Sequence, residues 1–76
     1  MKMFLLSQAE DPVTGFRLAG VEGAVVKSEQ EFARKASSAI EDETVAIVLI
    51  TSALSEKYPE RVLEMRKGTK KLITEI

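Results

Sequence analysis

The chain has 76 residues, of which 45% are hydrophobic and 30% are charged, and its formal net charge is −1. So balanced a charge argues against nucleic acid as a partner, because binding phosphates needs a surplus of lysine and arginine. The sequence contains no cysteine and no histidine, which excludes disulfides, thiol nucleophiles and the commonest ligands of transition metals.

The longest apolar run, residues 45–50, is too short to span a bilayer. The apolar stretch at the N-terminus, residues 1–6, is too short for the hydrophobic region of a signal peptide. We therefore expect one α/β domain over residues 1–76, located in the cytoplasm and without insertion into a membrane.

Four apolar segments and three helical patterns alternate along the chain, beginning with the apolar residues 3–6. Asp11 and Pro12 then predict a helix N-terminus, with Asp11 as the capping residue and Pro12 at the first helical position. Phe16 lies on the apolar side of this helix, and Gly20 predicts its end.

The second apolar segment, residues 21–26, leads into a helix that begins with the capping-box sequence of residues 28–31. The third segment, residues 45–50, is continuous and β-branched, as expected for a strand that is buried on both faces. The helix that follows begins near Ser52. Pro59 interrupts its pattern and predicts either a kink or a restart of the helix.

This third helix is expected to end just before Gly68, ahead of a last strand at residues 72–76. Strict alternation predicts a small flavodoxin-like (Rossmann-like) α/β domain in three layers, with a four-stranded parallel sheet. The most continuous strands should be central, which gives the order 2-1-3-4. Right-handed crossovers place the first helix alone on one face. We expect that face to be incompletely covered, and isolated chains to self-associate through it.

Two glycines, Gly15 and Gly20, have the spacing of a phosphate-binding GxxxxGK[ST] loop, but Val21 and Glu22 replace its Lys and Ser/Thr. Without the lysine such a loop has no clamp for phosphate. Gly15 is therefore interpreted as allowing close approach of helix and sheet, and we expect no nucleotide, metal or other cofactor.

Glu10 and Asp11 follow the first predicted strand, where receiver domains bind a divalent metal, and Thr51 follows the third. An alternative function is therefore a stand-alone receiver-like or small-ligand-binding domain that uses these three residues. That class also needs an aspartate after the third strand, where this sequence has Ile50-Thr51-Ser52. Helix capping by Asp11 and Thr51 is the simpler interpretation.

Basic residues cluster near the predicted end of the third helix, at Arg66, Lys67, Lys70 and Lys71. Their simplest role is that of a solvated region whose charge suits the negative end of that helix. The alternative is a protein-binding patch.

The most distinctive segment is Val-Thr-Gly-Phe-Arg-Leu-Ala-Gly-Val at residues 13–21, preceded by Glu10-Asp11. It resembles the start of the F subunit of V-type and archaeal A-type ATPases/ATP synthases, and the resemblance continues through residues 45–51 and 72–76. The family chain usually extends past the last strand into a C-terminal helix, which we expect to be absent from residues 1–76.

This resemblance implies a non-catalytic component of the central stalk, part of the rotor. Such a protein binds the D subunit of the stalk and, in the assembled complex, works with the catalytic A3B3 headpiece. It helps to couple ATP hydrolysis or synthesis to the movement of H⁺ or Na⁺, and it is peripheral to the membrane.

Within residues 13–21, Arg17 is expected to point away from the side that contacts the sheet. A solvated arginine on an ordinary helix is one interpretation. The other is a docking surface for the stalk partner, formed by Thr14, Arg17 and Leu18, while Phe16 anchors the helix to the sheet.

Overall fold

The computed structural model describes residues 2–76, in which strands and helices alternate along the chain. The elements are β1 (Lys2–Ser7), α1 (Glu10–Leu18), β2 (Glu22–Val25), α2 (Glu29–Glu41), β3 (Val45–Ile50), α3 (Ser52–Lys57), α4 (Pro59–Gly68) and β4 (Leu72–Glu75). All paired strands are parallel, and the sheet order is β2-β1-β3-β4. The predicted flavodoxin-like order 2-1-3-4 is thus confirmed.

We call the side of the sheet covered by α2, α3 and α4 the closed face. It holds the larger of two clusters of buried side chains in the described chain. Phe32 is fully buried there, and its ring centroid lies 5.8 Å from that of Tyr58. Burying a side chain of this size stabilises the fold by about 1.5–3 kcal/mol. The cluster includes Leu6, Val26, Ala36, Ala39, Val48, Ile50, Leu54, Val62, Met65 and Ile73.

We call the opposite side the open face, because only α1 packs on it. Val13 of α1 is buried against Leu5 and Leu49, and Phe16 packs there while it remains partly exposed. The helix lies mainly over β1 and β2, as a right-handed crossover between these two strands requires. The predicted division of one helix on one face and the rest on the other is therefore confirmed.

The start of α1 differs from the sequence prediction. Asp11 does not cap this helix: the N-cap is Ala9, without a side-chain hydrogen bond, and Asp11 lies inside the first turn. The hydroxyl of Ser7 forms the turn instead, since it accepts from the N–H of Ala9 (3.0 Å) and donates to its carbonyl (2.8 Å). Pro12 therefore occupies the third helical position, where a missing N–H still costs no helical hydrogen bond.

The end of α1 follows the prediction. The N–H of Gly20 donates to the carbonyl of Arg17, and the N–H of Val21 donates to that of Phe16. This is the Schellman pattern, which needs a left-handed residue just past the helix. Gly20 supplies it with a φ of 86°.

Two more helix starts follow the sequence signals. Ser28 caps α2 by accepting from the N–H of Glu31 (3.1 Å), and the Glu31 carboxylate accepts from the N–H of Lys27 (2.7 Å). Beyond α3, the chain restarts at Pro59 as the separate helix α4. Of the two alternatives at this proline, the restart is therefore correct.

Glycine is required at a different position from the one predicted. Gly15 is exposed, and a Cβ atom added to it would have no neighbour within 4 Å, so it does not bring α1 close to the sheet. A Cβ on Gly23 of β2 would instead lie 3.0 Å from both the Cβ and the carbonyl oxygen of Leu5. Close approach in this fold therefore occurs between β1 and β2.

Candidate partner-docking surface

The open face leaves part of the sheet without a helix above it. Met3, Ile47 and Leu72 are aligned in register across β1, β3 and β4, and they share this face with the buried Leu5 and Leu49. Met3 is 38% exposed and Leu72 is 59% exposed. Parallel sheets are normally covered on both faces, so the exposure of two apolar side chains in this row is unusual.

We call this region the open strip, defined by Met3, Ile47, Leu72 and Thr74. Thr74 pairs with Leu49 one row further toward the carboxyl ends of the strands. Within the strip, Met3 and Leu72 are exposed, and Ile47 between them is partly buried against the cluster under α1. The sequence predicts an incompletely covered face but not these residues. Side chains alternate between the two faces along each strand, and these residues occupy the positions of β1, β3 and β4 that lie on the open face. That alternation is the sequence signal that identifies them.

All three predicted docking residues of α1 are exposed. Leu18 is 87% exposed, and it lies one helical turn after Thr14 on the outward side of the helix. Arg17 forms none of the ion pairs found among residues 2–76. Helical spacing and the right-handed crossover place Arg17 on the flank of α1 that faces the β2 edge, away from the open strip.

The alternative, receiver-like site would use Thr51, Glu10 and Asp11, and the structure gives these residues other roles or leaves them exposed. Thr51 caps α3, since its hydroxyl accepts from the N–H of Leu54 (3.4 Å). Glu10 and Asp11 are exposed in the first turn of α1. Within residues 2–76, no group of three or more His, Cys, Asp or Glu side chains is arranged to hold a metal ion.

The other hydroxyls after β3 bind the end of the sheet. The hydroxyl of Ser52 donates to the carbonyl of Ile76, and that of Ser55 donates to the Glu75 carboxylate (3.0 Å). These contacts tie the start of α3 to the end of β4. Both hydroxyls therefore have structural partners.

An open cavity of about 330 Å³ lies at the carboxyl edge of the sheet. It is lined by Gln8, Lys27, Lys57 and Tyr58, among others. The ammonium of Lys27 donates to the carbonyl of Gln8 (2.9 Å), so it joins the segments that follow β1 and β2. The ammonium of Lys57 lies 5.7 Å from the ring centroid of Tyr58. Both lysines thus have contacts within the chain.

The basic cluster does not act as one unit. Lys71 is partly buried, and its ammonium donates to the carbonyls of Ala39 (3.2 Å) and Asp42 at the C-terminal end of α2. That helix has no basic residue in its own last turn, so Lys71 supplies the positive charge that its negative end favours. Only Arg66, Lys67 and Lys70 remain as the exposed part of the cluster.

Asp42 lies in the loop between α2 and β3. Among the acidic side chains of residues 2–76, its carboxyl is the one whose pKa is clearly shifted. Hydrogen bonds from the hydroxyl (2.7 Å) and the N–H (2.9 Å) of Thr44 hold the pKa of the Asp42 carboxyl below its usual value of 3.8. Lys2 and Lys71 add smaller contributions in the same direction. Such a carboxyl stabilises the fold above its unfolded pKa, and that contribution is lost as the pH falls through its folded pKa.

The fold and this surface together define a small flavodoxin-like α/β domain with an exposed apolar strip beside a lone helix. No helix within residues 2–76 has the length and apolar character needed to cross a membrane. The family model of the ATP synthase (F/14-kDa) subunit matches residues 6–76. The chain therefore belongs to the family of F subunits of V/A-type ATP synthases, as the sequence resemblance predicted. A search of curated proteins found no match to the sequence.

Proposed function

We propose that this chain is a non-catalytic rotor component of the central stalk, which binds the D subunit of the stalk and helps to couple ATP hydrolysis or synthesis to the movement of H⁺ or Na⁺. The observation that carries this proposal is the family match over residues 6–76. In the assembled complex the chain works with the catalytic A3B3 headpiece. It stays peripheral to the membrane, on the cytoplasmic side.

The chemistry of the chain supports a role in binding rather than in catalysis. The sequence has no histidine or cysteine to serve as a base or thiol nucleophile. The hydroxyls of Thr51, Ser52 and Ser55 are used in a helix cap and in contacts with the end of β4. An exposed apolar surface is what a protein that docks onto another protein needs.

We further propose that Thr14, Arg17 and Leu18 of α1 contact the D subunit. Leu18 and Thr14 form an exposed ridge, and Arg17 has no ion-pair partner in the described chain, so its guanidinium is available for a carboxylate of the partner. Phe16 anchors the ridge, because it packs on the cluster around Val13.

Calorimetric titration of this chain with the purified D subunit tests the proposal. We expect a 1:1 complex that Arg17→Ala weakens by about 1–3 kcal/mol, or roughly 5- to 150-fold in Kd. Thermal melts should be unchanged, because an exposed arginine contributes little to folding. Arg34→Ala is the matched control, since Arg34 is an exposed arginine on α2, across the sheet.

Each of two possible results would contradict a different part of this proposal. If the unmodified chain does not bind the D subunit, the assignment to the stalk interface is wrong. If the chain binds and both arginine variants bind equally well, the interface with the D subunit lies away from Arg17.

A further inference from the structure

The free edge of β4 presents backbone groups that have no partner within residues 2–76. This strand lies at the end of the sheet and pairs only with β3. The N–H of Ile76 donates to the carbonyl of Ile50, which fixes the alternation of the parallel ladder. The N–H and C=O groups of Ile73 and Glu75 therefore point away from β3. The groups inside a helix are paired within that helix, so only an extended segment can use this edge.

Exposed apolar side chains lie on both sides of this edge. On the open face Leu72 is 59% exposed and Ile76 is 45% exposed, and on the other side Leu63 of α4 is 54% exposed. Leu63 lies on the flank of α4 opposite Arg61 and Glu64, which face α2. Three of the five large apolar side chains exposed within residues 2–76 thus border β4. The strand at the other edge, β2, contains none of the five.

One antiparallel register between two copies of the chain uses all of these backbone groups. When a two-fold axis passes beside Thr74, Ile73 of each copy lies opposite Glu75 of the other copy as a hydrogen-bonded pair. The same register sets Leu72 opposite Ile76 of the other copy on the open face, so the exposed apolar side chains cover each other. The edge of β4 is therefore complementary to itself.

Neighbouring registers fit less well. A shift of two residues in one direction needs the N–H of Lys71, which already donates to the hydroxyl of Thr69 (3.1 Å). A shift of two residues in the other direction pairs Glu75 with itself and leaves Ile73 without a partner within residues 2–76. A shift of one residue would set side chains of the open face against those of the closed face.

The same axis brings the two copies of α4 together. This helix leads into β4 and packs on it, so the two helix axes would lie about 10 Å apart, which is an ordinary packing distance. The helices would be antiparallel, with Leu63 of one copy near Leu63 of the other. Glu60 in the first turn then meets Arg66 and Lys67 in the last turn of the other copy. None of these three charged residues forms an ion pair within residues 2–76.

We infer that two copies of this chain associate through the free edges of β4, as a two-fold dimer whose antiparallel junction joins two four-stranded sheets. The complementarity of the edge to itself, in backbone groups, apolar side chains and charges, selects a second copy rather than a strand of another protein. The sequence predicts self-association through the open face, and this inference moves the contact to the edge where Leu72 and Ile76 lie. The interface is small, so the dimer should be weak and depend on concentration. It concerns the free chain and does not depend on the proposed function.

Sedimentation of the chain alone, from about 10 µM to about 1 mM, measures the association, and we expect the mean mass to rise toward that of a dimer. Leu63→Asp sets two like charges against each other near the axis and should weaken the dimer by about tenfold or more. Leu18→Asp is the matched control at an exposed leucine of α1 (87% exposed), and it should change the dimer Kd by less than about twofold. Thermal melts check that both variants are folded.

A disulfide tests the register directly. The chain has no cysteine, so Thr74→Cys provides a single thiol. At a non-hydrogen-bonded antiparallel pair the two Cα atoms are about 4.5 Å apart, which a disulfide can bridge. Mild oxidation should link Thr74→Cys into covalent dimers well before Ser38→Cys, whose thiol would be exposed on α2.

Exchange of charges tests the pairing of the helices. Glu60→Arg and Arg66→Glu should each weaken self-association by about threefold or more, because each sets like charges opposite each other in a dimer. An equimolar mixture should recover the association, since the first variant has arginine at both positions and the second has glutamate at both.

Other results would overturn the inference. A chain that stays monomeric up to about 1 mM does not associate through β4. If Leu18→Asp dissociates the dimer and Leu63→Asp does not, the contact lies on α1 instead. If Ser38→Cys links as fast as Thr74→Cys, the register is wrong. If the mixed charge variants do not recover association, the helices do not pair in this way.

Discussion

The two faces of one sheet differ in how completely they are covered. On the closed face, α2, α3 and α4 bury one cluster of side chains that extends across the sheet from Val26, just after β2, to Ile73 on β4. Phe32 is fully enclosed within it. On the open face, α1 alone covers β1 and β2, and Leu72 remains 59% exposed. The strands are apolar on both sides. The difference therefore lies in the helices, which cover one face almost completely and the other only in part.

The largest expected effect is on the free energy of unfolding, when each of the two phenylalanines that anchor the helices is replaced by alanine. Phe32→Ala should cost about 3–5 kcal/mol of the free energy of unfolding, because it empties a fully enclosed site on the closed face. Phe16→Ala should cost less, about 1–3 kcal/mol, since Phe16 is partly exposed on the open face. Urea denaturation of both variants measures the difference.

A small domain has only several kcal/mol of stability, so we expect Phe32→Ala to be partly unfolded even without denaturant. Phe32→Leu then provides a milder comparison with Phe16→Leu. Equal losses at the two positions, in either pair, would show that the open face contributes as much to folding as the closed face does.

The sequence predicts the sheet well, because periodicity and crossover handedness determine it. The continuous strands β1 and β3 are central, and the segments with Gly23 and Glu75 form the edges. The predicted end of α1 at Gly20 and the predicted start of α2 at Ser28 are also correct, because each signal depends only on residues that are close in the sequence.

Contacts between segments that are distant along the chain cannot be predicted from the sequence. Gly23 is needed because Leu5 lies directly beside it, and only the register of β1 and β2 shows this. Lys71 reaches the end of α2 across 29 residues of sequence. The capping role assigned to Asp11 fails for a local reason, since the hydroxyl of Ser7 starts the turn earlier.

Two glycines should respond to alanine with opposite signs. Gly23→Ala places a Cβ 3.0 Å from the buried Leu5 of the central strand, and this crowding should destabilise the fold by about 1–3 kcal/mol. Gly15→Ala meets no neighbour and improves the helix propensity of α1, so it should stabilise the fold by about 0.5–1 kcal/mol. Melting temperatures of the two variants provide the comparison. A stabilising Gly23→Ala would mean that β2 can move away from β1 at little cost.

The smallest expected effect compares two adjacent lysines. Lys71→Met removes the hydrogen bonds from the ammonium to the carbonyls of Ala39 and Asp42, which should cost about 1 kcal/mol of the free energy of unfolding. Lys70→Met is the matched control, and it should change stability by less than about 0.5 kcal/mol, because Lys70 is exposed. Hydrogen exchange should localise the loss, with faster exchange in the last turn of α2 for Lys71→Met alone. If both variants lose the same stability, the loss comes from removing a positive charge at this edge of the sheet. The hydrogen bonds from Lys71 to the end of α2 would then contribute nothing measurable.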